Sequence, residues 1–188
     1  MPSVTIRPYE DKDCPYVQQI CIETAGSGFN ETPLRKRAAV AAFCRYFITR
    51  CPECCFVAVR EDDVPVGYIL CTPSFGRWCR YAPEQFLSGF PFGFLWSLGS
   101  MLGAVPYLKA YPAHLHINLL PPYRRMGLGR QLMYALEQAL RQQNCPGVSL
   151  CVNQQNHGAM GFYESCGFHV LGKHPGSVAY GKVLRDES

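Results

Sequence analysis

The sequence predicts an α/β fold of the α+β kind, a central mixed and mostly antiparallel sheet flanked by helices. Three observations carry this. Apolar runs of strand length alternate with stretches of helical periodicity along most of the chain. Two of those runs are joined by a short charged turn, as in an antiparallel hairpin. One run passes through a glycine-bearing turn directly into a long amphipathic helix.

In chain order, Val4 to Tyr9 alternates as a short strand. Asp11-Lys12-Asp13 then offers helix-start carboxylates before Val17, Ile20 and Cys21 at helical spacing. Thr32-Pro33 places a capping hydroxyl before a proline suited to the first helical position, and Leu34 to Thr49 continues as a second helix through Val40, Phe43 and Phe47. Phe56 to Val59 and Val66 to Leu70, split by Glu61-Asp62-Asp63, form the hairpin. Leu115 to Leu120 is a strand, Gly129 to Gln143 a helix burying Leu132, Leu136, Ala139 and Leu140, Val148 to Val152 a strand, and Asn156 to Cys166 a helix. Strands from Phe168 to Leu171 and Val178 to Leu184 close the chain.

At 188 residues and 48% hydrophobic content, the chain fits one domain, 1–188, with a sizeable core. Residues 72–112 are expected to be an insertion within it. From Gln85 to Leu108 that segment has no charged residue, yet Pro91, Pro106 and four glycines interrupt it. A membrane span is therefore disfavoured, and an aromatic helical cover for an acceptor pocket, or a homodimer contact, is preferred. Tyr81, Phe92, Trp96 and Tyr107 would make such a pocket apolar. Liposome binding through this segment is the rival reading.

Net charge is +4 with 17% charged residues, far below the density of nucleic-acid binders. The start, Met1 to Arg7, lacks a secretory profile, so the eleven cysteines are expected as thiols in the cytoplasm. Cys51-Pro52-Glu53-Cys54-Cys55 has C-x-x-C spacing but no second half-site, so no metal is expected.

The turn Arg124-Arg125-Met126-Gly127-Leu128-Gly129 is the chemical centre of the sequence. A loop entering a helix with small residues leaves several N–H groups unpaired at the positive end of the helix dipole, an anion cradle to which Arg124, Arg125 and Arg130 add charge. The residues ask for a phosphorylated ligand. A dinucleotide fingerprint does not fit, because Leu132 stands where a third glycine belongs. A purely structural glycine turn stays open at this point.

Two motifs resemble the GNAT superfamily of N-acetyltransferases. The loop matches the family's Q/R-x-x-G-x-G/A pattern, and Asn156, Ala159, Phe162, Tyr163, Gly167 and Phe168 match its N-x-x-A-x-x-[FY]-Y-x-x-x-G-F stretch. The resemblance implies a GNAT-like fold and acetyl-CoA (CoA) as cofactor. It implies that the amides of Arg124, Arg125, Met126, Gly127, Leu128, Gly129 and Arg130 hold the pyrophosphate. The backbone of Leu119 and Leu120 would bond the pantetheine arm, with an amide near Leu120 facing the thioester oxygen. Tyr163 would protonate the departing thiolate, although a core aromatic with a bonded hydroxyl is the bland alternative. Asn156 either caps its helix or bonds the arm, and Asn153 is a further candidate for the arm.

Alternation puts His114, His116 and Asn118 on one strand face, with no carboxylate from Ala113 to Tyr123. His116 is thus the candidate base, with Asn118 beside it, and a water chain the alternative. The runs Ala113 to Ile117 and Pro146-Gly147-Val148 also resemble the acetyltransferase-like domain attached to some O-GlcNAc hydrolases, where an acid is common at the position of Asn118. The implied function is acetyl transfer to a primary amine, of a small molecule or peptide, by direct attack in a ternary complex. The alternative is a pseudo-acetyltransferase that binds acyl-CoA without turnover, or an interaction module.

Overall fold

The structure is a computed structural model that describes residues 3–25, 31–87 and 105–184, of which 82–87 by backbone alone. Its seven strands are β1 Val4–Pro8, β2 Cys55–Arg60, β3 Pro65–Thr72, β4 Ala113–Leu119, β5 Gly147–Asn153, β6 His169–His174 and β7 Ser177–Val183. They form one sheet in the order β1-β2-β3-β4-β5-β7-β6. All neighbours are antiparallel except β4 and β5.

That parallel pair governs the site. β4 keeps register with β3 from Gly67↔Leu119 to Thr72↔His114, and β5 keeps register with β7 along its whole length. Between β4 and β5 only Ala113↔Val148 and His114↔Ser149 are paired. Each strand is held by its outer neighbour, so beyond His114 the two part and the sheet opens. Backbone groups that a closed ladder would use therefore face a gap.

The first helix, α1 (Cys14–Thr24), is entered through a 3-10 turn, Asp11–Asp13, capped reciprocally by Glu10 and Asp13. Asp13, 1% exposed, accepts two hydrogen bonds from Arg7 at 2.7 and 2.8 Å. The helix start is thereby tied to β1. The second helix, α2 (Pro33–Val40), has Thr32 as its cap, as expected, the hydroxyl accepting from the Arg35 N–H. It does not run unbroken to Thr49. A π-turn at Ala41–Arg45 intervenes before α3 (Tyr46–Arg50), and hydrophobic spacing alone cannot separate a five-residue π-turn from α-helix.

Between β3 and β4, α4 (Phe75–Leu87) begins three residues past the strand, with Phe75 and Trp78 buried. Phe92 and Trp96 lie outside the described residues, as does most of the uncharged segment. No helix among the described residues is long and apolar enough to cross a membrane. The helix α5 (Leu128–Gln142) buries Leu128, Leu132, Met133, Leu136 and Leu140. Ala139, expected in that core, is only half-buried, whereas Glu137 is buried, its charge met by Lys182 Nζ at 2.6 Å. Last, α6 (His157–Ser165) precedes the β6–β7 hairpin.

One core lies on each sheet face. Val57, Val59, Tyr68 and Leu70 pack with α1 to α3 on one side. Ala58, Ile69, Leu115, Leu150 and Tyr180 pack with α5 and Tyr163 on the other. All eleven cysteines are free thiols. Within the C-x-x-C run, Cys51 donates to Thr72, Cys55 donates to the Cys51 carbonyl, and Cys54 accepts from Gln143. No three His, Cys, Asp or Glu side chains gather at metal-binding distance among the described residues.

Candidate functional site

The mouth of the β4–β5 gap is built by the turn from Leu120 to Gly129. A short 3-10 turn, Pro121–Tyr123, carries the chain off β4, and Arg125 and Gly127 then take positive φ, 62° and 78°. These two left-handed residues turn successive amides the same way. The N–H groups of five consecutive residues, Arg125 to Gly129, find no protein acceptor among the described residues. They crown the N-terminus of α5. Arg125 and Arg130 have no ion-pair partner among the described residues, and Arg124 Nε donates to the Leu119 carbonyl at 3.0 Å. The result is a concentrated, uncompensated positive potential.

Gly129 has a separate task. A Cβ there would stand 3.1 Å from the ring of Phe162, so glycine lets α5 and α6 close up beside the gap. At Gly127 a Cβ would touch nothing within 4 Å, and only the backbone angle demands glycine. Gly127→Val is therefore expected to strain or flatten the loop at about 1–2 kcal/mol, roughly a ten-fold loss of anion affinity. Calorimetric titration with CoA would read the loss, and an unchanged Kd would contradict the geometry.

Along β4 the ladder alternates. The Leu120 N–H donates to Val66 at 3.0 Å, so Leu119 and Ile117 turn their backbone groups away from β3 and into the gap. Leu120 gives its N–H to Val66, and its carbonyl accepts one bond from Tyr123, so of the two residues expected to bond a cofactor arm it can offer only that carbonyl. The open amide near it is that of Leu119.

Tyr163 sits on α6 with its ring between Phe162, Phe168 and Tyr180. Its hydroxyl makes no hydrogen bond among the described residues, unlike the bonded hydroxyl of an ordinary core tyrosine. Burial first, and then the Cys166 thiol, push the phenol well above its usual pKa, so it holds its proton across the neutral and alkaline range. Asn156 accepts from the Ala159 N–H at 3.1 Å as the cap of α6. Asn153 accepts from Gln155 N–H, and both side chains are exposed.

On the opposite face His114, His116 and Asn118 point together, as alternation requires. His114 is buried, stacks on Phe75 at 4.4 Å and approaches Ser149 Oγ at 3.5 Å. Asn118 donates to the Tyr68 hydroxyl at 2.9 Å. His116 is partly buried, and its Nε2 is fully buried with no partner, its ring against Phe43 and Phe47 at 5.4 and 5.1 Å. Burial drives its pKa down to about 4, which makes it neutral and only weakly basic at pH 7. Phe43 and Cys151 escaped sequence reasoning. Phe43 reaches His116 from the π-turn, and Cys151 shares the His116 face only because His114 pairs with Ser149.

The sequence model of the acetyltransferase (GNAT) family matches residues 15–168, a span that contains the cradle, the gap and Tyr163. The chain belongs to the acetyltransferase (GNAT) family. Its fold is the GNAT fold. The crystal structure of SsHAT superposes with a TM-score of 0.86 at 28% identity, covering 98% of this chain and 100% of that one. Two more distant GNAT-like structures support the fold alone. One is yncA from Salmonella typhimurium, solved with its cofactor acetyl-CoA, at TM-score 0.62, 16% identity and coverage of 99% and 96%. The other is the NatC complex bound to Gag peptide and CoA, at TM-score 0.61, 13% identity and coverage of 97% and 98%. Likeness to the domains attached to O-GlcNAc hydrolases rests on the two sequence runs alone.

Proposed function

We propose that this GNAT chain transfers an acetyl group from acetyl-CoA to a primary amine, by direct attack within a ternary complex. The observation that carries this is the run of five unpartnered N–H groups at the mouth of the β4–β5 gap. Those amides, with Arg125 and Arg130, suit a pyrophosphate, and the gap suits an arm running along Leu119. Asn153 and Asn156 border the same gap and offer side-chain amides to the arm.

In this reading the amine attacks the thioester carbon, and the Leu119 N–H, already aimed into the gap, stabilises the developing oxyanion. Collapse expels the CoA thiolate, which takes the phenolic proton of Tyr163. His116, or a water beside it, receives the proton lost from nitrogen. A covalent acyl-cysteine route is disfavoured. Burial raises Cys151, the thiol on the His116 face of the gap, to about 11, leaving it a poorly nucleophilic thiol at neutral pH. The free thiols fit a reducing compartment such as the cytoplasm.

Initial rates with both substrates varied test this order of events. Intersecting double-reciprocal lines are expected, because both substrates must be bound before CoA leaves, whereas parallel lines would contradict it. Tight acetyl-CoA binding without thiol release across a broad amine panel would favour the non-catalytic acyl-CoA-binding reading.

A further inference from the structure

Gly67 lies inside β3, a strand buried along its whole length, where a glycine adds to the entropy lost on folding and contributes no side-chain packing. Among the described residues the glycines with positive φ are Gly127, Gly167 and Gly176, so the backbone of Gly67 is one that alanine adopts. Only its surroundings call for glycine.

A Cβ on Gly67 would stand 2.2 Å from Cδ2 and 3.0 Å from Cγ of Leu119, its cross-strand partner on β4. Leu119 thus lays its isobutyl group over β3, in the place of the missing side chain. The next residue of that row, on β2, is Ala58, so nothing large competes for the spot. Strand pairing makes the contact close. Leu120 bonds to Val66, which leaves Gly67 and Leu119 a non-hydrogen-bonded pair, the kind that brings opposite side chains nearest.

This placement matters because the two halves of the site join at Leu119. Its N–H faces the gap, and its carbonyl accepts from Arg124 Nε of the cradle at 3.0 Å. Its Cδ1 lies 3.8 Å from the point where a Cβ on Gly129 would stand, so the start of α5 closes one direction. With a methyl group on β3, the isobutyl group would turn toward the open side, the β4–β5 gap, where no ladder pairing stands beyond His114. The Leu119 N–H would shift as well. The Asn118 carbonyl belongs to the same planar peptide unit as that N–H, and a Cβ on Gly67 would stand 3.0 Å from its oxygen.

We propose that Gly67 is a positioning residue for the donor thioester: by holding the Leu119 side chain over β3, it keeps the arm's path through the gap open and the Leu119 N–H aimed at the thioester oxygen. This rests on the reading that acetyl-CoA is the donor. Gly67 acts only through Leu119.

The test separates the arm from the diphosphate by titration calorimetry on the full chain. The probes are acetyl-CoA and adenosine diphosphate bearing the 3′-phosphate, which keeps the nucleotide end and lacks the arm. In Gly67→Ala the Kd for acetyl-CoA is expected to rise about ten-fold. That for the armless nucleotide should stay within about two-fold, because the cradle is untouched. In a Leu119→Ala background, with no isobutyl group to displace, adding Gly67→Ala should raise the acetyl-CoA Kd by about three-fold or less. The infrared carbonyl band of acetyl-CoA labelled with carbon-13 at the thioester gives a second readout. A hydrogen bond from the Leu119 N–H lowers its frequency in the wild-type complex, and Gly67→Ala is expected to return it toward the free value.

Either an unchanged acetyl-CoA affinity or an unmoved band in Gly67→Ala would overturn the proposal while leaving the donor reading standing. Equal weakening of both probes, which marks a general disturbance, would overturn it too, as would the same cost in both backgrounds. Should Gly67→Ala alone fail to fold, the double variant decides. It is expected to fold and to bind acetyl-CoA within about three-fold of Leu119→Ala, and a larger loss would overturn the proposal. A wild-type band at the free frequency would take the Leu119 N–H, and this proposal with it, out of the donor site. No binding of acetyl-CoA to the wild type would remove the donor reading and the proposal together.

Discussion

Tyr163→Phe is expected to lower kcat by about 100-fold or more while leaving the Kd for acetyl-CoA within a factor of about two. The substitution is unusually clean. The Tyr163 hydroxyl makes no hydrogen bond among the described residues, so its removal orphans nothing, and the remaining ring keeps its packing on Phe162, Phe168 and Tyr180. A drop in turnover would therefore report the lost proton and not a disturbed core. Because burial holds the phenol protonated, the acid limb of the wild-type profile should stay intact into the alkaline range. Steady-state thiol release and a calorimetric titration check both halves. Unchanged turnover would take Tyr163 out of the acid role.

Acidification between about pH 6.5 and pH 4 is expected to destabilise the fold more steeply than carboxylate chemistry alone would. The cause is the pair His114 and His116, both held by burial below the usual histidine pKa of 6.5, His116 at about 4. In that window the unfolded chain binds protons that the folded chain refuses, so stability rises with pH and is lost as pH falls. For His116 alone the loss amounts to on the order of 3 kcal/mol by pH 4, a large share of a typical 5–15 kcal/mol. Asp62 and Asp63, whose pKa values are lowered by Arg60 and by Lys12 with Arg7, act at lower pH and are exposed. Urea midpoints at about pH 7 and pH 4.5 would measure the effect, and His116→Phe, whose ring suits Phe43 and Phe47, should flatten it. Equal midpoints at the two pH values would contradict the assignment.

Much of this is legible in the sequence, for identifiable reasons. The cradle could be read because its physics lies in local backbone geometry: Gly127 needs its positive φ, and Gly129 needs room for Phe162. The hairpin, the capped helix at Thr32 and the face shared by His114, His116 and Asn118 are likewise short-range. What stayed hidden depends on partners distant in sequence. Leu120 loses its amide to Val66 only because β3 lies alongside, and His116 loses basicity only because Phe43 and Phe47 close over it. The π-turn that brings Phe43 there leaves no trace in residue spacing.

Everything in the reading of this chain depends on the amides of Arg125 to Gly129 gripping the diphosphate of CoA. The most direct measurement is isothermal titration of the full chain with CoA and, in parallel, with pantetheine, which lacks the diphosphate. CoA is expected to bind in the micromolar range, with affinity falling as salt rises, and pantetheine far more weakly. Equal affinity for the two, or no heat from CoA at millimolar concentration, would contradict the account.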